Sequence, residues 1–416
     1  MVGHDRQSHA ETCQLSSGQR DDKECRNPRI EVLGIESILQ DCKGMVGVRS
    51  YRILSADRVQ IGYRVFANQP VGQSTVFIAP GYTGNSAQFM CWFADYFQEI
   101  GMNVVTMDYR GFGLSTGKYS PEVGPHENVY RGLSLANLAT DAHTIIRCGL
   151  PELEIRRENT LLLGHSYGNM VWYQFLSMFG DNFMGFANID QIPKFTSDFP
   201  MANNPSYPLC RMPPCVDGAT LGDIARVLSQ RGKDFKKSAG KSGHYPSTAA
   251  SYNAFFYSCE TFHECRRNKD MSKCHGIDLN VSVPACMTET EEGLQAWKAG
   301  TSNFKDMNGK LDAILMWNDI TADFTSEITG DGITLPMFVY GGEFSLVPFN
   351  LMKWVYATSK SINKSHLWLF GTEGNHTPFL NKGKSRQVFF DKLIDWVVSL
   401  CHSKGTCLAN VTVVRK

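Results

Sequence analysis

Short apolar runs alternate with segments of helical period along this chain, and that alternation limits the folds open to it more than any other feature. Thr75-Val76-Phe77-Ile78-Ala79 ends in Pro80-Gly81, and Ser86 to Ile100 then follows with helical spacing and closes at Gly101. Asn103-Val104-Val105-Thr106-Met107 is the next apolar run, followed by a helical stretch from Leu133 to Cys148 that closes at Gly149. Thr160-Leu161-Leu162-Leu163 leads into a helical stretch from Asn169 to Phe179, closed by Gly180, and Phe186-Ala187-Asn188-Ile189 comes next. Runs this short and this apolar read as strands buried on both faces. Strands buried on both faces, each separated by a helix, belong in a parallel sheet with helices packed on either side.

The pattern has clear limits. Residues 1–45 are polar, carry Asp21-Asp22-Lys23-Glu24, and read as a loose N-terminal tail. Val48–Leu54 and Val59–Phe66 flank Ser55-Ala56-Asp57-Arg58, a hairpin signal. The alternation stops near Thr196 and does not resume until Leu335-Pro336-Met337-Phe338-Val339-Tyr340, with Leu367-Trp368-Leu369-Phe370 and a final amphipathic stretch from Ser385 to Leu400 after it. Between them lie Pro200, Pro205, Pro208, Pro213 and Pro214 and only short helical runs. The division expected is one α/β core, residues 46–195 and 311–416, interrupted by a cap insertion at 196–310.

Composition excludes several classes of function. With 42% hydrophobic and 20% charged residues the chain has enough apolar mass for a large core. Lys+Arg and Asp+Glu are both 41, so there is no basic excess to neutralise phosphates, and no nucleic-acid partner is expected. No run approaches the ~18 apolar residues of a transmembrane helix. The opening Met1-Val2-Gly3-His4-Asp5-Arg6 is polar and has no signal-peptide core.

Gly164-His165-Ser166-Tyr167-Gly168 lies between the apolar run Thr160–Leu163 and the helical stretch from Asn169. A G-x-S-x-G pentapeptide in a strand–turn–helix context is a nucleophile elbow, with glycines where a Cβ would strike the neighbouring backbone and the serine hydroxyl raised at the positive end of a helix. A serine hydroxyl needs a base. His376, in Gly374-Asn375-His376-Thr377-Pro378 after the last strand, is placed to serve, whereas His165 occupies a variable elbow position that suits packing.

These segments, together with Asp108-Tyr109-Arg110-Gly111-Phe112-Gly113-Leu114-Ser115 and Pro80-Gly81-Tyr82-Thr83-Gly84, resemble the α/β-hydrolase fold superfamily in its serine esterase, lipase and haloperoxidase-like members. The resemblance spans roughly 59–194 and 320–400 and leaves out the cap. It implies a Ser166–His376 catalytic pair and an oxyanion hole made by the backbone N–H groups of Tyr82 and Tyr167. Proline stands where the family usually has histidine before Gly81, which leaves the Tyr82 donor intact. The family usually places its acid after the strand that is here Pro336–Tyr340, and Phe344 occupies that place. Glu343, one residue early, and Asp190, at the end of the preceding strand, are the two candidates. Asp108 and Arg110 read as a charge-paired brace for the elbow.

Thirteen cysteines are unusual. Cys210, Cys215, Cys259, Cys265, Cys274 and Cys286 fall in the cap and Cys401 and Cys407 flank a turn, so disulfides are expected there, with pairing and compartment (extracellular or cytoplasmic) left open. A zinc site from His263, Cys265, Cys274 and His275 matches no common spacing, and no metal or cofactor is expected. Asn375-His376-Thr377 is a glycosylation triplet expected to stay unmodified, since a glycan would cover the base. The function expected is a serine hydrolase acting on a small, neutral, apolar carboxylic ester, with the cap aromatics Phe255, Phe256, Tyr257 and Phe262 either roofing the site or packing in a core. The alternatives are a catalytically silent scaffold that binds a ligand or partner, and an aminopeptidase or acyltransferase built on the same site.

Overall fold

The computed structural model describes residues 30–36, 47–55, 57–67, 74–81, 84–110, 112–115, 135–180, 182–191, 257–268, 284–302, 333–347 and 349–404. Its strands are β1 (Ile30–Glu36), β2 (Val48–Leu54), β3 (Gln60–Phe66), β4 (Thr75–Ala79), β5 (Asn103–Met107), β6 (Thr160–His165), β7 (Gly185–Ile189), β8 (Met337–Gly342) and β9 (Lys364–Leu369). They form one sheet in the order β1-β2-β3-β5-β4-β6-β7-β8-β9. The first three are antiparallel to their neighbours, and the pairs from β5 to β9 are parallel. The helices are α1 (Ser86–Glu99), α2 (Leu135–Thr144, continued by a π turn at Ile145–Gly149), α3 (Tyr167–Phe179), α4 (Cys259–Asn268), α5 (Glu291–Ser302), α6 (Phe349–Thr358) and α7 (Gly383–Lys404).

The apolar runs are buried on both faces, and alternate side chains enter different cores. Phe77, Val105 and Leu162 pack with α2, α3 and α6 on one side. Val76, Ile78, Val104, Leu161 and Leu163 pack with α1 and α7 on the other. Removing a side chain of this size from water stabilises by about 1.5–3 kcal/mol, which explains why strands of only five residues hold their places. Local chemistry sets the helix ends: the Asn85 side chain accepts the Gln88 N–H at 3.0 Å and so caps α1.

The N-terminal segment departs from its reading as a tail, because Ile30–Glu36 pairs antiparallel with β2 as an edge strand. Its register shifts between Val32 and Gly34, and Val32 is 66% exposed, so it lacks the regular alternation that marks a strand in sequence. Helix α6, between β8 and β9, carried no strong sequence signal either.

Asp108 and Arg110 brace the structure, though not by pairing with each other. The Asp108 carboxylate accepts the Ser86 N–H at 2.7 Å and the Leu114 N–H at 2.9 Å and lies 3.2 Å from Arg64, tying α1 to the segment after β5. Arg110 grips Asp141 of α2 through two bonds of 2.6 and 2.8 Å and reaches Asp57 at 2.6 Å. The Asp141 side chain is fully buried and that of Asp57 half exposed, so the stabilisation rests on Asp141. Arg110→Ala leaves that carboxylate buried and uncompensated, and urea unfolding is expected to show a loss of about 3–5 kcal/mol. Asp57→Ala should lose about 1 kcal/mol or less.

Candidate active site

The parallel register brings the C-terminal ends of five strands to one place. Ala79 pairs with Gly164, His165 with Ile189, Ile189 with Tyr340, and Gly342 with Leu369. Ligand sites of α/β sheets lie beyond such strand ends. Ser166 follows β6, Asp190 follows β7, the loop Glu343–Val347 follows β8, and His376 lies beyond β9.

Ser166 has φ 50° and ψ −122°, a backbone that non-glycine residues rarely adopt. Its surroundings leave no alternative. The Ser166 N–H donates to Ile189 O and the Asn169 N–H to Ser166 O, each at 2.9 Å. The Asn169 side chain also donates to Ile189 O at 2.9 Å. A Cβ on Gly164 would lie 2.6 Å from Asn169 N, and one on Gly168 would lie 2.1 Å from Ala79 O. Both glycines are therefore demanded by close backbone approach, as the pentapeptide implied. Tyr167 opens α3, and Tyr82 lies outside the described residues.

His376 Nδ1 lies 2.6 Å from Asp190 Oδ2, with the histidine 4% and the aspartate 0% exposed. Asp190 is also held in a left-handed conformation, at φ 61°. Burial pushes the His376 imidazole down to about 3 and the Asp190 carboxyl well above its ordinary range, the latter opposed by a hydrogen bond from Ser345. The contact carries one proton, and a neutral imidazole that gives Nδ1–H to Asp190 keeps its Nε2 lone pair for an incoming proton.

The histidine loop is pinned from three directions. The His376 N–H donates to Cys286 O at 3.1 Å, and the Thr377 N–H to Met287 O at 3.0 Å. The Tyr340 hydroxyl donates to Asn375 O at 2.8 Å. His165 Nε2 lies 3.0 Å from His376 O, and a carbonyl only accepts, so His165 carries its proton on Nε2. His165 is fully buried among Phe89, Trp297 and Phe379 and held neutral by burial. It is a packed residue, as read from sequence, with an added tie to the His376 backbone. Asn375 is buried too, and its amide donates to Thr372 O and to Asn381 Oδ1.

Sequence comparison adds a match between residues 72–188 and the family described as serine aminopeptidase, S33. An esterase from Exiguobacterium antarcticum superposes with TM-score 0.52 at 17% identity, covering 83% of this chain and 98% of its own. The chain has the α/β-hydrolase fold. An epoxide hydrolase from Vigna radiata shares the α/β-hydrolase fold with TM-score 0.52 at 10% identity, covering 85% of this chain and 98% of its own. No curated protein matches. The family match includes Ser166 and stops short of Asp190 and His376.

Of the two acid candidates for an α/β-hydrolase-fold site, the structure brings Asp190 to His376. The Glu343 carboxylate instead accepts the Gly371 N–H at 2.8 Å. Ser345 is a neighbour that sequence reading missed: its hydroxyl donates to Asp190 Oδ2 and lies 3.3 Å from His376 Nδ1. The signal available was a small polar residue directly after Phe344, in the loop where the acid was sought.

Of residues 196–310, expected to form a cap, the described ones hold α4, α5 and the segment 284–290. Tyr257 and Phe262 are buried with Cys259, Cys265 and Cys286 in a core of their own, so these two aromatics pack rather than roof the site, while Phe255 and Phe256 lie outside the described residues. Cys259 and Cys286 form a disulfide, and Cys91, Cys148, Cys265 and Cys401 are disulfide-bonded as well. Cys210, Cys215, Cys274 and Cys407 lie outside the described residues, as does His275. Among the described residues no group of His, Cys, Asp or Glu is arranged to hold a metal, and no helix is long and apolar enough to cross a membrane.

The disulfide bears on the site because Cys286 O holds the His376 N–H and the Cys286 N–H donates to Phe344 O at 2.6 Å. Closing a loop of 27 residues constrains the unfolded chain by about 3–4 kcal/mol. The double variant Cys259→Ser, Cys286→Ser is expected to lose stability of that order in denaturant titration. Hydrogen exchange at the amides of Phe344, His376 and Thr377 should accelerate with it.

Proposed function

We propose that the chain is a serine hydrolase that cleaves a carboxylic ester through an acyl-enzyme on Ser166. The observation that carries this reading is the 2.6 Å contact between buried Asp190 and His376, at the strand ends that also hold Ser166 on its strained elbow. In this reading His376 Nε2 takes the Ser166 hydroxyl proton as Oγ attacks the carbonyl carbon. Asp190 holds the imidazole in the tautomer that can accept and stabilises the imidazolium formed. The backbone N–H groups of Tyr167, at the head of α3, and of Tyr82 stabilise the oxyanion. His376 then returns the proton to the leaving alcohol, and water repeats the sequence to release the acid. The chain's balanced charge favours a neutral substrate. Epoxide hydrolase chemistry uses an aspartate nucleophile, and serine stands at that position here.

The S33 match supports a second reading on the same machinery, cleavage of a peptide bond at an N-terminal residue. Aminoacyl p-nitroanilides and p-nitrophenyl esters of graded chain length distinguish the two: an ester-only profile favours the first reading, and selective release of p-nitroaniline the second. The acid assignment is tested by kinetics. Asp190→Asn should lower kcat on a short p-nitrophenyl ester by about 10³–10⁴-fold, because the imidazole loses its tautomer. Glu343→Gln should stay within about threefold, since its bond to Gly371 does not touch the imidazole. The reverse ranking would refute the assignment.

A further inference from the structure

The loop after β8 is where this fold usually carries its acid, and here it supplies a hydroxyl instead. Ser345 is 3% exposed. Its oxygen accepts the Val347 N–H at 3.2 Å, its hydroxyl donates to Asp190 Oδ2, and His376 Nδ1 lies 3.3 Å away. A serine hydroxyl has a single proton. In the hydrolase reading Nδ1 gives its own proton to Asp190 and cannot accept, and Val347 occupies a lone pair, so the hydroxyl proton is committed to the carboxylate. Asp190 Oδ1 has no hydrogen-bond partner among the described residues, which concentrates support for the carboxylate on Oδ2.

We propose that Ser345 is a positioning residue of the site, its hydroxyl anchoring the Asp190 carboxylate from β7 against the imidazole that arrives from the loop beyond β9. The inference rests on the hydrolase reading and on Asp190 as its acid. A hydrogen bond donated to a buried carboxylate is charge-assisted and favours the ionised form. Without it the Asp190 carboxyl takes up a proton more readily. A protonated carboxyl donates to Nδ1, shifts the imidazole proton to Nε2, and leaves nothing to accept the proton of Ser166.

Two titratable neighbours of the pair are held neutral by burial. Tyr340 of β8, near Asp190, is held well above its ordinary value by burial. His165, at the end of β6, faces His376 and is kept neutral by burial. Glu343, on the Ser345 loop, bonds Gly371. A displaced acid limb of activity in a Ser345 variant therefore reports the Asp190–His376 pair as a unit.

The test is the pH profile of kcat/KM for p-nitrophenyl acetate with the full chain, as wild type, Ser345→Ala, Ser345→Cys and Ser345→Thr. In Ser345→Ala the acid limb should move up by about one pH unit or more, with about a tenfold loss at pH 6 and convergence toward wild type at alkaline pH. Cysteine, a weaker donor of similar size, should shift the limb less, and threonine, which keeps the hydroxyl, should leave it in place. A uniform loss with an unshifted limb in both Ala and Cys would mean that Ser345 only fills space, and would overturn the inference while leaving the hydrolase reading intact. If Ser345→Ala fails to fold by circular dichroism, the comparison of Cys with Thr decides. A folded wild type that turns over no ester would overturn the hydrolase reading and this inference with it.

Discussion

The hydrogen bond between His376 Nδ1 and Asp190 Oδ2 joins residues 186 positions apart and excludes them both from water. A carboxylate buried alone is costly, and so is a buried imidazolium. Each partner is tolerable because the other is there, and both stay in place because β7, β8 and β9 run parallel in a fixed register. The sheet is thus more than a scaffold for the site. Its register decides which carboxylate meets the imidazole, and the left-handed backbone at Asp190 aims that carboxylate across the strand ends.

The neighbouring loops do the remaining alignment. The segment 284–290 hydrogen-bonds the His376 loop through Cys286 and Met287 and the Ser345 loop through Phe344. Cys286 is in turn bridged to Cys259 at the start of α4. Segment 284–290 thus packs against both loops, and Tyr257 and Phe262 are buried with the cysteines in a small core of their own. Cross-linking therefore bears on the position of the His376 backbone, which is a different use of cysteine from metal binding or nucleophilic attack.

Much of this was legible in sequence because it is written in local period and local sterics. Apolar runs of four to six residues marked the strands from β4 to β9, and the elbow followed from two glycines flanking a serine between a strand and a helix. The place of His376 beyond the last strand was legible as well. Which of Glu343 and Asp190 lies against His376 was not, because it depends on which of two strand ends lies nearer the imidazole, and no local pattern encodes that. Ser345 was hidden for the same reason: its partner is 155 positions away. Strand β1 escaped because its irregular register and exposed Val32 blur the period of two. The separate partners of Asp108 and Arg110 likewise depend on Arg64, Asp57 and Asp141, which only the fold brings near.

The proposed hydrolase chemistry requires Ser166 to be a nucleophile activated by the Asp190–His376 pair. The most direct measurement is mass spectrometry of the digested protein after treatment with a fluorophosphonate, which locates the adduct and its rate of formation. One phosphonylated residue is expected, Ser166, with labelling lost when Asp190 is replaced by Asn and retained when Glu343 is replaced by Gln. A folded wild-type chain that remains unlabelled at Ser166, or labels there equally fast without the Asp190 carboxylate, would contradict it.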